Sequence, residues 1–510
     1  MTFGRRQIRW SVFGVWLLCL GWLLRYQAFP DYFTETFSGY RGLFSQDVLL
    51  KDSWMRILFN GQPIGLNHST MELDDSEPEA RHVIRDRLQA RLNILGSDQK
   101  LYVDATVRLD DAYELQRFSF SLSSPNYTVR LNAVRVSGET FRVTLATDNS
   151  TQTSTVTVPR DVVIYSPMTE MAMRRLKPGQ SLTLRTLDPA TLSTAPLTIR
   201  ALRREALVMA GATNQATVLA SDYQGTTATT WMDHDGRVLR QETPFGWVLE
   251  ACSMDEALRA FSRAAPGADM LAALAVPCQG LPADPAGARE LSLRLVGVQF
   301  EPGELDSPRQ RVISLGTNEA VVAFAADTLP AGPVAPPGAG FEADLAPTLS
   351  LQSDHPDIAS RARELTAGLE DPAQRARAIF DWVFKSVSKE PTVSLPSALD
   401  VLKTLRGDCN EHTVLFVALA RAAGIPARVN VGLAFHEGAF YYHAWPAVYL
   451  GGWHECDPTW GTPGVDATHV ALAEGELSDQ LRIAKVMGRL RIVALPAPSA
   501  GSGKAGLGHD

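Results

Sequence analysis

Three residues in one C-terminal stretch have the types and order that thiol chemistry requires. Cys409 follows Arg406-Gly407-Asp408, His443 lies in Tyr441-Tyr442-His443-Ala444-Trp445, and Asp457 lies in Glu455-Cys456-Asp457-Pro458-Thr459. A sulfur nucleophile must become a thiolate, which takes a base and a group that orients the base. A helix begins near Asp408 or Cys409, so the cysteine sits in its first turn. Unpaired N–H groups and the helix dipole there favour an anion and lower a thiol from its ordinary value of about 8.5. The backbone N–H of Cys409 is also a donor for an oxyanion once a carbonyl is attacked. Alternation along the extended segment puts Tyr441, His443 and Trp445 on one face. A tight turn at Gly451-Gly452 returns the chain beside that strand, so Asp457 can hold one imidazole tautomer.

Taken singly, each residue has a plainer reading: a core cysteine, a structural histidine, a turn acid at a strand end. Their joint order and settings point to a site. Cys456 alternates away from Asp457 and reads as core, His412 reads as solvated or structural, and the Trp382 indole reads as packing rather than as an oxyanion donor. A zinc site from Cys409, His443 and Cys456 lacks close ligand spacing, so no metal and no cofactor is expected. Pro446 removes a ladder donor within its strand and implies an edge or a bulge.

The elements that must hold these residues are legible nearby. Asp371-Pro372 is an N-cap followed by proline at the first helical position. Ala376, Ile379, Phe380, Val383 and Val387 then form a stripe at helical spacing. Ser397 with Asp400 opens a short helix to Leu405. The helix at Cys409 is apolar over Val414–Ala420, hence buried on most sides, and Gly424 before Ile425-Pro426 stops it. Strands follow over Arg428–Leu433, Phe440–Leu450 and Trp453–Cys456.

Gly407-Asp408-Cys409, the run Ala418–Arg428, His443-Ala444-Trp445 and Trp453 through Asp457-Pro458-Thr459 together resemble the transglutaminase-like superfamily, over roughly residues 355–490. The resemblance implies a variant of the papain-like cysteine peptidase fold, with Cys409 as nucleophile, His443 as general base and Asp457 as orienting acid. The chain also resembles bacterial members that carry a β-rich extracytoplasmic segment ahead of the core.

The remainder is a different kind of chain. With 510 residues it exceeds one ordinary core. A net charge of -8 and no long basic run argue against nucleic-acid binding. Arg5, Arg6 and Arg9 precede an apolar run over residues 10–24 that ends at Arg25. As a helix that run would be roughly 22 Å long, against a hydrocarbon core of ~30 Å, with aromatic residues beyond it to extend the reach. An uncleaved signal-anchor, a cleaved signal peptide and a buried helix all remain open. The flanking arginines favour a cytoplasmic N-terminus with the catalytic part outside the cytoplasm, which the resemblance to bacterial members implies is the periplasm.

Residues 45–275 read as a large antiparallel β-rich domain, with hairpins at Asn60-Gly61 and Asp235-Gly236 and a helix from Ser253 to about Leu274. Residues 289–328 read as a small β-rich segment, 329–350 as a Pro/Gly/Ala-rich linker, 351–494 as the catalytic α+β core and 495–510 as a disordered tail. The fold class is therefore α+β, with residues 1–30 as the membrane segment. Cys252 and Cys278 read equally as a disulfide or as two free thiols. The expected activity is attack by Cys409 on an amide of a protein or peptide substrate, resolved through a thioester by water (a peptidase or amidase) or by an amine (an acyltransferase). A core kept only for binding or assembly at the cell envelope is the alternative.

Overall fold

A computed structural model of the chain describes residues 51–166, 171–209, 211–264, 267–475 and 485–496, with short pieces at 35–36 and 39–43 and single positions at 15, 20 and 483. It divides into two compact units, residues 1–93 with 98–268, and residues 94–97 with 269–510. The apolar run at 10–24 falls almost wholly outside the described residues. Among those that are described, no helix is long and apolar enough to cross a membrane.

The first unit is built on a sheet of sixteen strands among the described residues. Its strands pair almost entirely with sequence neighbours, because short turns favour antiparallel hairpins. Asn60 and Gly61 join Lys51–Phe59 to Gln62–Leu73 with φ of 49° and 75°, the paired positive values that a two-residue turn with this twist needs. Lys51–Phe59 also pairs with Trp247–Cys252, so an early strand of the unit and its last one share a ladder. Tyr127–Ser137 shows the expected alternation, burying Val129, Leu131 and Ala133 between exposed neighbours.

The helix expected over 253–274 is two helices, Met254–Ser262 and Met270–Leu274. The sequence Pro266-Gly267 lies between them, and Asp269 caps the second by accepting from the N–H groups of Leu271 and Ala272. Cys252 and Cys278 are free, half-buried thiols.

The second unit holds four helices that matter for the site, α1 (Pro356–Leu365), α2 (Pro372–Ser386), α3 (Ala398–Thr404) and α4 (Cys409–Ala422). Its sheet contains β1 (Val276–Gln279), β2 (Glu290–Val296), β3 (Gln310–Leu315), β4 (Glu319–Ala325), β5 (Ala427–His436), β6 (Ala439–Tyr449), β7 (Trp453–Glu455), β8 (Val470–Glu474) and β9 (Arg491–Leu495). The order is β3-β4-β2-β9-β1-β6-β5-β8. Strand β5 covers one side of β6 throughout, so β1 and β7 share the other side at opposite ends.

Residues 289–328 therefore do not stand apart as a small segment: β2, β3 and β4 belong to the same sheet as the core strands. Strand β9, close to the C-terminus, is what joins β2 to β1. The stretch at 329–340 forms no helix or strand but is tied to this unit, Leu329 N–H donating to the Pro463 carbonyl at 2.9 Å and Val334 N–H to Asp371 Oδ1 at 3.0 Å.

Helix α4 is the centre of the packing. It rests on β5, β6 and the other three helices, and Glu411 through Ala420 are all buried. A helix apolar on every face has nowhere else to go. Pro446 sits inside β6 without a register shift. At that point β7 has reached its end, where Cys456 N–H donates to the Pro446 carbonyl at 3.2 Å, so no ladder bond needs the missing N–H.

Candidate active site

The site is assembled from two local devices, a helix cap and a side-chain turn. Asp408 is the N-cap of α4; its carboxylate accepts from Asn410 N–H at 2.9 Å and from the N–H of Glu411, while Glu411 Oε2 accepts from Asp408 N–H at 2.9 Å. This reciprocal box uses up the neighbouring donors. Among the described residues, no acceptor takes the N–H of Cys409 at this end of the helix. Gly407 is required beside it, with φ of 150° and a side chain of Glu411 lying 2.2 Å from where a Cβ would stand.

The second device is Asp457. Its Oδ1 accepts from the N–H groups of Thr459 at 2.8 Å and Trp460 at 3.1 Å, so the Asp-Pro-Thr segment turns around its own carboxylate. Oδ2 is thereby aimed away from the turn. His443 Nε2 donates to it at 2.7 Å, with both side chains buried. That bond fixes the tautomer and leaves Nδ1 as the imidazole nitrogen available for proton exchange. Trp460 stacks on the His443 ring at 4.6 Å between centroids and 16° between planes, and Trp445 flanks it at 5.9 Å.

Cys409 is half-buried, and its sulfur accepts from the N–H of Ala444, the residue after His443. The structure thus brings Cys409 to the histidine strand and His443 to Asp457. The thiol does not gain the lowered pKa that a helix N-terminus favours. Burial first, then the Asp408 carboxylate, pushes Cys409 well above its ordinary value, and the Ala444 N–H only partly opposes this. Asp408 is itself raised well above the usual carboxylate range, by burial and then by the Glu411 charge. Asp457 moves the other way: burial works against its charge, but His443 and then His469 hold its carboxyl well below the usual range.

His469 is the residue that sequence reasoning missed. It is buried on the loop before β8, its Nε2 3.4 Å from Asp457 Oδ2 and its Nδ1 3.1 Å from Asp466 Oδ1. Burial disfavours its charge, yet the two carboxylates win and raise its pKa above the ordinary value. Asp466 and His469 stand three apart just after Asp457-Pro458-Thr459, which was the one available signal. Arg309 and Glu455 were missed too. Their buried pair at 2.6 Å supports Trp445, whose indole N–H donates to the same Glu455 oxygen at 2.6 Å.

Cys456 faces the core and burial pushes its thiol well up. His412 is fully buried on α4, with Nδ1 2.7 Å from the Asp408 carbonyl oxygen. Trp382 packs against the core with the Arg361 guanidinium over its ring. The ligand-type atoms of His443, Asp457 and His469 lie within 4.8 Å of one another, but their mutual hydrogen bonds already account for that closeness.

Residues 359–458 match the family described as the transglutaminase-like superfamily. The chain is 29% identical over 139 residues to the kyphoscoliosis peptidase of Mus musculus, covering 24% of this chain and 21% of that protein. It is 31% identical over 108 residues to the human protein of the same name, covering 18% of this chain and 16% of that protein. The chain thus spans about a fifth or less of these relatives' length. The periplasmic domain of TgpA from Pseudomonas aeruginosa, solved bound to ethylmercury, aligns with 36% of this chain and 95% of its own at 16% identity and a TM-score of 0.25. Residues 359–458 of this chain are a domain of the transglutaminase-like superfamily.

Proposed function

We propose that the second unit is a cysteine-nucleophile enzyme acting on amide bonds of proteins or peptides. The observation that carries this reading is the buried 2.7 Å bond between His443 and Asp457, set beside a thiol at a helix N-terminus. Cys409 sulfur attacks the amide carbonyl carbon as His443 takes the thiol proton. The carbonyl electrons move to oxygen, where the Cys409 N–H donates. Collapse breaks the C–N bond, His443 returns its proton to the leaving amine, and a thioester remains. Water, deprotonated by His443, then releases the acid and restores the thiol, while an amine in its place forms a new amide. The peptidase name carried by the mouse and human relatives favours water. The Arg-flanked apolar run at 10–24 supports a domain that works outside the cytoplasm behind an N-terminal anchor, which N-terminal sequencing of the mature protein tests.

The test of the chemistry is alkylation of the full chain by iodoacetamide across pH 5–9, with Cys409→Ala and His443→Ala alongside. The reading expects Cys409 to react faster than an ordinary half-buried thiol at pH 6–7, and to lose that advantage with His443→Ala. Labelling at an ordinary rate, indifferent to His443, would sink it. A primary amine added during turnover then separates transfer from hydrolysis.

A further inference from the structure

The sheet of the first unit and its loops line a partly open cavity of about 480 Å³, within the roughly 300–1,000 Å³ typical of small-molecule sites. Its lining follows the two-residue period of strands: Ile84 with Asp86, Ala105 with Val107, and Ser221 with Tyr223 each project from one strand onto the same face. The curved sheet therefore turns one continuous face inward, and most of that face is aliphatic or aromatic. An apolar wall alone would say nothing about an occupant. Two carboxylates line it: Asp188, which accepts from Ala190 N–H at 2.8 Å as part of its own turn, and Asp86, which is the informative one.

Asp86 stands in this wall. Ser69 Oγ donates to its Oδ1, Asn67 Nδ2 supports Ser69 at 3.0 Å, and Ser166 also bonds to the carboxylate. The side chain lies deep within the unit, and burial pushes its carboxyl up to about 6. It is half-buried and lines the cavity. Its flanking arginines are engaged elsewhere, Arg85 with Glu72 and Arg87 with Asp104. No cationic side chain pairs with Asp86 among the described residues, and the nearest charge acting on it is the Asp104 carboxylate, also negative. A carboxylate bonded by two hydroxyls, with no cation beside it and a largely apolar chamber in front of it, is half of an ion pair.

We propose that this cavity binds an amphiphile with an apolar body and a protonated amine head, the amine pairing with Asp86. The body displaces water from the apolar wall, and the head supplies the countercharge that the fold does not. This site is separate from the thiol chemistry and does not rest on it.

Calorimetric titration of the full chain at pH 7.5 with decylamine, decanol and decanoate, each below its micelle concentration, tests the proposal. Decylamine is expected to bind one per chain and at least tenfold more tightly than decanoate. Ala105→Trp, which fills the chamber, should abolish binding. The near-isosteric Asp86→Asn should remove the preference for the amine while retaining decanol, which keeps the test decisive if Ala105→Trp fails to fold. Absence of decylamine binding, equal affinity for all three compounds, or a preference for decanoate would overturn the assignment.

Discussion

Replacing Glu455 or Arg309 singly should unfold the second unit far more readily than replacing both. Their side chains are 7% and 4% exposed, and Arg309 Nε donates to Glu455 Oε2 at 2.6 Å. The guanidinium also donates to the carbonyls of Ala325 and His469, and Glu455 accepts from the Trp445 indole. Glu455→Leu leaves a buried guanidinium with two carbonyls and no countercharge. Arg309→Met leaves a buried carboxylate with one indole N–H. Breaking a buried pair from one side costs about 3–5 kcal/mol, whereas replacing both members by apolar groups of similar volume is close to neutral. The double variant should thus recover several kcal/mol relative to the sum of the singles, a coupling well above the ~0.5 kcal/mol scatter of independent sites. With two units in the chain a single unfolding transition is not guaranteed. Hydrogen-exchange protection of the β6 amides therefore serves as the readout, since it reports the opening of this unit alone. Single variants costing under about 1 kcal/mol, or a double variant costing the full sum, would refute the reasoning.

Four further outcomes follow from the same geometry. Asp457→Asn keeps the shape but offers the wrong partner to His443, so turnover should fall roughly a thousandfold or more with little change in substrate affinity, as kcat and KM measured separately will show. The folded state holds the His469 proton more tightly than the unfolded chain does, so its contribution to stability is complete below the ordinary histidine value and fades as pH rises through the higher folded one; His469→Asn should flatten that slope in unfolding measured from pH 6 to 9. Gly407→Ala drives a Cβ into Glu411 and opens the capping box, at a cost of about 2 kcal/mol in the same exchange assay, with slower Cys409 alkylation. Asp86, pushed up from 3.8 to about 6, should make the first unit lose up to about 3 kcal/mol as pH rises through that range, a loss that Asp86→Asn removes in urea titrations at pH 4 and pH 8.

What the sequence discloses is local. The caps at Asp371, Ser397 and Asp408 and the turns at Asn60-Gly61 and Gly451-Gly452 can be read because the partners lie within four residues of each other. Cys409, His443 and Asp457 stand out by residue type and by the element each must occupy. Arg309 is different: it lies 146 residues from Glu455, and no periodicity announces that the turn before β3, ahead of a proline-rich stretch, carries the counterion for the site's floor. The placement of β2–β4 in the core sheet is hidden for the same reason. Its link is β9, a five-residue strand next to the C-terminal tail. His469 lies between these cases, since its bond to Asp466 is local and its approach to Asp457 depends on how the loop before β8 closes.

The electrostatics around Cys409 limit how its thiol can become reactive. A helix N-terminus favours a thiolate, but here Asp408 and Glu411 have taken the donors of the first turn and brought carboxylates in exchange. Burial and those carboxylates, joined by Asp457, all oppose a second negative charge, and one backbone N–H from Ala444 supports it. Asp408 is itself pushed well above the usual carboxylate range, by burial and then by the Glu411 charge. An isolated thiolate is still disfavoured. On the proposed mechanism the thiol proton moves to His443, whose ring is held by the Asp457 carboxylate and flanked by two indoles. On the proposed mechanism the nucleophile is therefore the Cys409–His443 ion pair and not the cysteine alone. Removing His443 should extinguish reactivity at neutral pH outright, whereas at a cysteine activated by its helix alone the same change would only reduce it.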